Sequence, residues 1–161
     1  MTYTLITTPT FDAEHCIVIG CFEKCPLPVK ANDALFKRLS KKLTHKGDVL
    51  WHQTAKQNSL LVHCGSEKET TLLQLKPIIQ NILTALNQQK ITQATVYLPQ
   101  IKQVTPNQQI EQMVLAFDAL RYTPPHLKSE PNPNPPTLEV IQFYLEYATD
   151  KAIALSVAYS R

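Results

Sequence analysis

The run Cys16–Phe22 (CIVIGCF) sets apolar or small residues at seven successive positions, with none of the polar alternation of a strand that has one wet face. Side chains on a strand point alternately to opposite faces, so both faces of this one must be covered. A strand buried on both sides needs a sheet with a layer packed on each face. A chain of 161 residues is long enough to bury one such core.

The rest of the chain supplies the other strands and the layers. Tyr3–Thr7, Val49–Trp51, Leu60–Cys64 (LLVHC), Ala94–Leu98 (ATVYL) and Leu138–Tyr144 (LEVIQFY) carry the β-branched and aromatic bias of strands. Between them the apolar period lengthens to that of a helix. Asn32 is the expected N-cap of a first helix, with Leu35, Phe36, Leu39 and Leu43 on one face, Lys37, Arg38, Lys41 and Lys42 on the other, and Gly47 as its stop. Leu72, Leu75, Ile79, Ile82 and Leu86 form the stripe of a second, which must begin near Pro77 or kink there. Thr105-Pro106-Asn107-Gln108 has the form of a capping box with proline at the first helical position. The helix it opens buries Ile110, Met113, Val114, Phe117 and Leu120 and ends before Pro124-Pro125. Residues 124–136 hold six of the 12 prolines and read as an extended loop, and Thr149 or Asp150 caps a last helix, 150–161. Strands alternating with helices predict a three-layer α/β/α fold in one domain, 1–161, with helices on both faces of a central sheet. The leading strand pair and the Val49–Leu61 pair have no helix between their members, so the sheet is expected to be mixed.

Composition excludes several function classes. At 43% hydrophobic and 18% charged residues the chain is globular, and a formal charge of +3 is too small to argue for nucleic acid. The start, MTYTLITTPTFDAEH, has neither a basic nor an apolar signal region, and no apolar stretch is long enough to span a bilayer. A cytoplasmic protein without a membrane partner is therefore expected. The three glycines, Gly20, Gly47 and Gly65, form no phosphate-binding pattern.

Candidate chemistry is sparse. A metal site could draw on Cys16, Cys21, Cys25 and Cys64 with His15 and His63, but the cysteine spacings of five and four residues do not match the close pairs of structural zinc sites. A nucleophile at Cys21 or Cys25 would need His15, His45, His52 or His63 as base, and no local signature joins them. Glu67 and Glu69 flank Lys68 as a solvated helix entrance does, and the basic run Lys37–Lys46 lacks the interleaved aromatics of a nucleic-acid surface. The expectation is no catalytic, cofactor-binding or metal residue in this chain.

The order of the pieces resembles the amino-terminal domain of leucyl (cytosol) aminopeptidases. LLVHCG (Leu60–Gly65), the helix IIQNILTALNQQ, the strand ATVYLP and the helix QQIEQMVLAFDALRY follow in that family's sequence, with Phe117-Asp118 and Arg121 standing for its Phe-Asp pair and basic residue. Ala154–Arg161 is similar to its A-x-G-V-x-x-A-R helix, although Ser156 and Ser160 replace commoner residues and His63-Cys64 stands where small or apolar residues are usual. The resemblance implies a macro-domain-like fold and a supporting, non-catalytic role. In that family a following catalytic domain carries two divalent metal ions, zinc or manganese, around K-G-x-T-F-D-S-G-G and N-T-D-A-E-G-R, strings absent from these residues. It further implies a longer parent enzyme, a hexamer that releases N-terminal amino acids, with this chain's last helix running on into the catalytic domain. The alternatives are a stand-alone macro-like module for ADP-ribose or another nucleotide, and a DNA-binding domain.

Overall fold

The computed structural model describes residues 2–6, 16–22, 38, 41–53, 57–121 and 137–145. Six strands form one sheet: β1 (Thr2–Leu5), β2 (Cys16–Cys21), β3 (Val49–Gln53), β4 (Asn58–His63), β5 (Gln93–Tyr97) and β6 (Val140–Tyr144). Their spatial order is β1-β6-β5-β2-β4-β3. All neighbours run parallel except the β3–β4 hairpin, which pairs Trp51 with Leu60 and Leu50 with Leu61. The sheet is mixed, as expected, but only the hairpin makes it so. The two leading strands are not neighbours at all: β1 pairs with β6 at one edge, while β2 lies between β4 and β5.

Every residue of β2 is buried, which is what its unbroken apolar run requires of a central strand. On one face Cys16, Val18, Leu60, Val62, Ala94, Val96, Ile141 and Phe143 meet two helices, α1 (Leu75–Gln88) and α2 (Pro106–Arg121). On the other face Ile17, Ile19 and Leu61 have no exposed surface and Leu43 packs with them, so this face is covered too. The fold is α/β with layers on both sides of the sheet. Of the first predicted helix only Arg38, which is helical, and residues 41–43 are described, and Asn32 lies outside the described residues. So do the loop 124–136 and the final helix 150–161.

Local chemistry explains the helix boundaries. A 3-10 turn at Leu72–Gln74 leads into α1, which places Pro77 in the first helical turn, where its missing N–H has no partner to lose. The helix buries Leu75, Ile78, Ile79, Ile82, Leu83 and Leu86, a wider stripe than the five predicted positions. At α2 the capping box is complete: the Gln108 amide donates to Thr105 Oγ1 at 3.1 Å and the Thr105 amide to Gln108 Oε1 at 2.9 Å. Ile110, Met113, Val114 and Phe117 are buried, and Leu120 is half-buried against the same core. Gly47 is not a simple helix stop. Its φ of +89° serves a turn in which Asp48 N donates to His45 O, and that turn launches β3.

Candidate functional site

In parallel α/β sheets ligands sit at the carboxyl ends of the strands, because the loops that follow them are free to vary. Here β4 and β5 end beside each other across β2, and the loops that leave them enclose a cleft of about 450 Å³. It is lined by Glu67, Lys68, Thr70 to Leu73 and Ile101 to Val104.

Both loops are held by side chains placed for that purpose. After β4, Gly65 takes a φ of +89°, and its amide donates to His63 Nδ1 at 3.1 Å. Thr70 Oγ1 then donates to the carbonyls of Cys64 and Ser66 at 2.8 and 2.7 Å, closing the turn. After β5, the fully buried Gln109 reaches back from α2: its Oε1 accepts the Ile101 amide at 2.8 Å and its Nε2 donates to Pro99 O at 2.9 Å. Gln100 Nε2 donates to the carbonyls of Ile101 and Val104. Lys102 and Glu67 join the two loops by an ion pair of 3.5 Å. No sequence motif marked Ile101–Val104 or Gln109. The one available signal was a polar residue at a helix position four before the buried Met113.

A Cβ on Gly20 would meet Leu98 Cδ2 at 2.6 Å, Cys64 Sγ at 3.0 Å and Pro99 Cδ at 3.0 Å. Glycine here serves close packing of three side chains.

The residues considered for chemistry fall into separate places. Cys16 and Cys21 begin and end the same six-residue strand, about 16 Å apart, too far to share a metal. Burial pushes the Cys16 thiol up to about 12. Burial also pushes Cys64 up to about 12, with the neighbouring Cys21 adding to the shift and a hydrogen bond from the Cys21 backbone offsetting part of it. The thiolate is the nucleophile, so a thiol held protonated is a poor one. Cys21 and His63 are brought together, as partners on adjacent strands. Both are engaged with backbone, since Cys21 Sγ donates to Val62 O at 3.6 Å and His63 Nδ1 accepts from Gly65. Cys25 and His15 lie outside the described residues.

His45 is exposed, 2.9 Å from Thr44 Oγ1. Amides of His45 and Thr44, in that order of effect, hold the Asp48 carboxyl below the usual range. His52 lies on the edge strand β3 with Nε2 unpartnered among the described residues. Glu67 pairs with Lys102 and Glu69 is exposed on the turn after β4, so the two do not form an acid–base pair. Arg38, Lys41, Lys42 and Lys46 of the basic run are exposed, and Lys37 is outside the described residues. No group of three metal-ligating side chains is assembled among the described residues. None of their helices is long and apolar enough to cross a membrane.

The Phe117-Asp118 pair has a structural role. Phe117 is fully buried, its ring 5.8 Å from that of Phe143, and Asp118 accepts a hydrogen bond from the Tyr3 hydroxyl. One residue fills the core and the next fastens edge strand β1 to α2.

The model of the N-terminal domain of the cytosol aminopeptidase family matches residues 50–131, just over half of the chain. The chain belongs to this family. Two probable cytosol aminopeptidases, from Legionella pneumophila strains Paris and Corby, are each 31% identical over 165 residues. The match covers 98% of this chain and 34% of either relative, so the chain spans about a third of their length. Among solved structures, a mutant of tomato leucine aminopeptidase superposes with a TM-score of 0.71 at 10% identity, covering 99% of this chain and 35% of that one. The bottromycin maturation enzyme BotP in complex with Mn gives 0.65 at 13% identity, covering 92% and 30%. At such identities the superpositions establish the fold of a cytosol aminopeptidase N-terminal domain, here the mixed sheet with its helices.

Proposed function

We propose that this chain is the non-catalytic amino-terminal domain of a longer leucyl-type aminopeptidase, a cytoplasmic enzyme that releases N-terminal residues from peptides. Residues 1–161 form one domain that supports a following catalytic domain and a hexameric assembly. The observation that carries this is the family match over residues 50–131 in a chain spanning only 34% of its relatives.

The parent's chemistry needs two divalent metals, zinc or manganese, held by several carboxylates a few ångströms apart, so that both grip the attacking water and the substrate carbonyl. The described residues do not fit that group. The cleft offers one carboxylate, Glu67, already paired with Lys102, and no group of three metal-ligating side chains is assembled among the described residues. No catalytic step is assigned to this chain; the metals are assigned to the following domain.

The isolated chain, given manganese or zinc, is expected not to hydrolyse leucine p-nitroanilide above the metal-only blank. The longer protein is expected to hydrolyse it and to sediment as a hexamer. Turnover by the isolated chain that survives repurification and scales with its concentration would overturn the assignment.

A further inference from the structure

We propose that the cleft between the β4–α1 and β5–α2 loops docks an acidic peptide segment of a partner protein. An apolar side chain of that segment rests on Val104 and Leu72 beside Leu73, and a flanking carboxylate pairs with Lys68.

Three observations place an occupant there. Leu73 lines the cleft and is 89% exposed, the one large hydrophobic among the described residues that is left in water. Ile101 forms part of the wall at 2% exposure, and Leu72 and Val104 are half-buried, so Leu73 extends an apolar surface outward from the cleft. The charge is also unbalanced. Lys102 is satisfied by Glu67, whereas Lys68 is exposed and has no carboxylate within ion-pairing distance among the described residues. The lining thus carries two ammonium groups and one carboxylate. Finally, both loops are fixed in advance by Gln109, Thr70 and the Thr105–Gln108 box, so docking costs little ordering of the cleft.

Charge complementarity selects among occupants, because a rim charge mainly steers and discriminates. A carboxylate beside an apolar side chain answers Lys68 and Leu73 together. A bare anion leaves Leu73 in water. An isologous contact between two copies sets the cationic rims against each other. Nucleic acid has no aromatic residue in this lining on which to stack a base.

The test titrates the ¹⁵N-labelled full chain with three blocked pentapeptides: alternating glutamate and leucine, alternating lysine and leucine, and alternating glutamate and glycine. Saturable amide shifts are expected for Thr70 to Leu75 and Ile101 to Val104 with the glutamate–leucine peptide alone. Lys68→Glu and Leu73→Asp, both at exposed positions, should each weaken them about tenfold while leaving the melting temperature unchanged. Absence of saturable shifts, equal shifts from the lysine peptide, or equal affinity for the glycine peptide would each overturn the proposal. So would a dimer in sedimentation that Leu73→Asp dissolves, since the occupant would then be a second copy. None of these outcomes depends on whether the longer protein is an aminopeptidase.

Discussion

Replacing Phe117 by alanine removes the side chain on which the core between sheet and helices converges. The ring is fully buried on α2 and meets Phe143 of β6 at 5.8 Å and 52°. Phe143 stacks in turn on Tyr3 of β1 at 6.1 Å and 9°, and the Tyr3 hydroxyl returns to Asp118 beside Phe117. Loss of a buried phenylalanine costs about 3–5 kcal/mol through lost transfer energy and the cavity left behind. That is a large part of the ~5–15 kcal/mol by which such domains are stable. At about 2–4 °C per kcal/mol for a chain of this size, the melting temperature should fall by roughly 6–20 °C. Thermal melts and urea unfolding followed by far-UV circular dichroism measure it. Phe117→Leu keeps most of the volume and should cost under about 1.5 kcal/mol. A double-mutant cycle of Phe117→Ala with Phe143→Leu should show coupling of about 0.5–1.5 kcal/mol from the ring pair. A Phe117→Ala protein melting within about a degree of wild type would refute the orientation of α2 on which this rests.

Two further outcomes are expected. The thiols of Cys16 and Cys64, raised from about 9 to about 12, bind protons in the folded protein that the unfolded chain releases. Their contribution to stability is therefore complete below pH 9 and is lost between pH 9 and 12. Cys16→Ala with Cys64→Ala should flatten the alkaline limb of a stability–pH profile, and a limb unchanged by the pair would refute the assignment. Gly20→Val should overpack the junction of Leu98, Cys64 and Pro99 at a cost of about 1–3 kcal/mol, partly relieved by Leu98→Ala. A wild-type urea midpoint for Gly20→Val would show that space exists above β2.

Much of the fold was legible because periodicity and capping are local. CIVIGCF announced a strand covered on both faces, Thr105–Gln108 announced a helix start, and Phe117 fell on the buried stripe. Gly47 was misplaced by local reasoning, since a glycine after a basic helical pattern reads as a stop, whereas its carbonyl accepts from Asn81 Nδ2 and its amide donates to His63 O, contacts from distant elements. The cleft was not legible. It joins loops some thirty residues apart in the chain, and the clamp that shapes one of them, Gln109, looked like any polar helix residue.

The sequence by itself determined the kinds of element, their order and the demand for layers on both sides of the sheet. It also determined the resemblance carried by the Phe-Asp pair and the order of pieces around it. Only the tertiary structure decided that β1 crosses the molecule to pair with β6, that β2 lies between β4 and β5, and that Cys21 meets His63. The physical reason is range. A side chain's periodicity is set by neighbours three or four residues away, but strand partners are chosen by contacts such as that between Tyr3 and Asp118, 115 residues apart, which form only when the whole core packs.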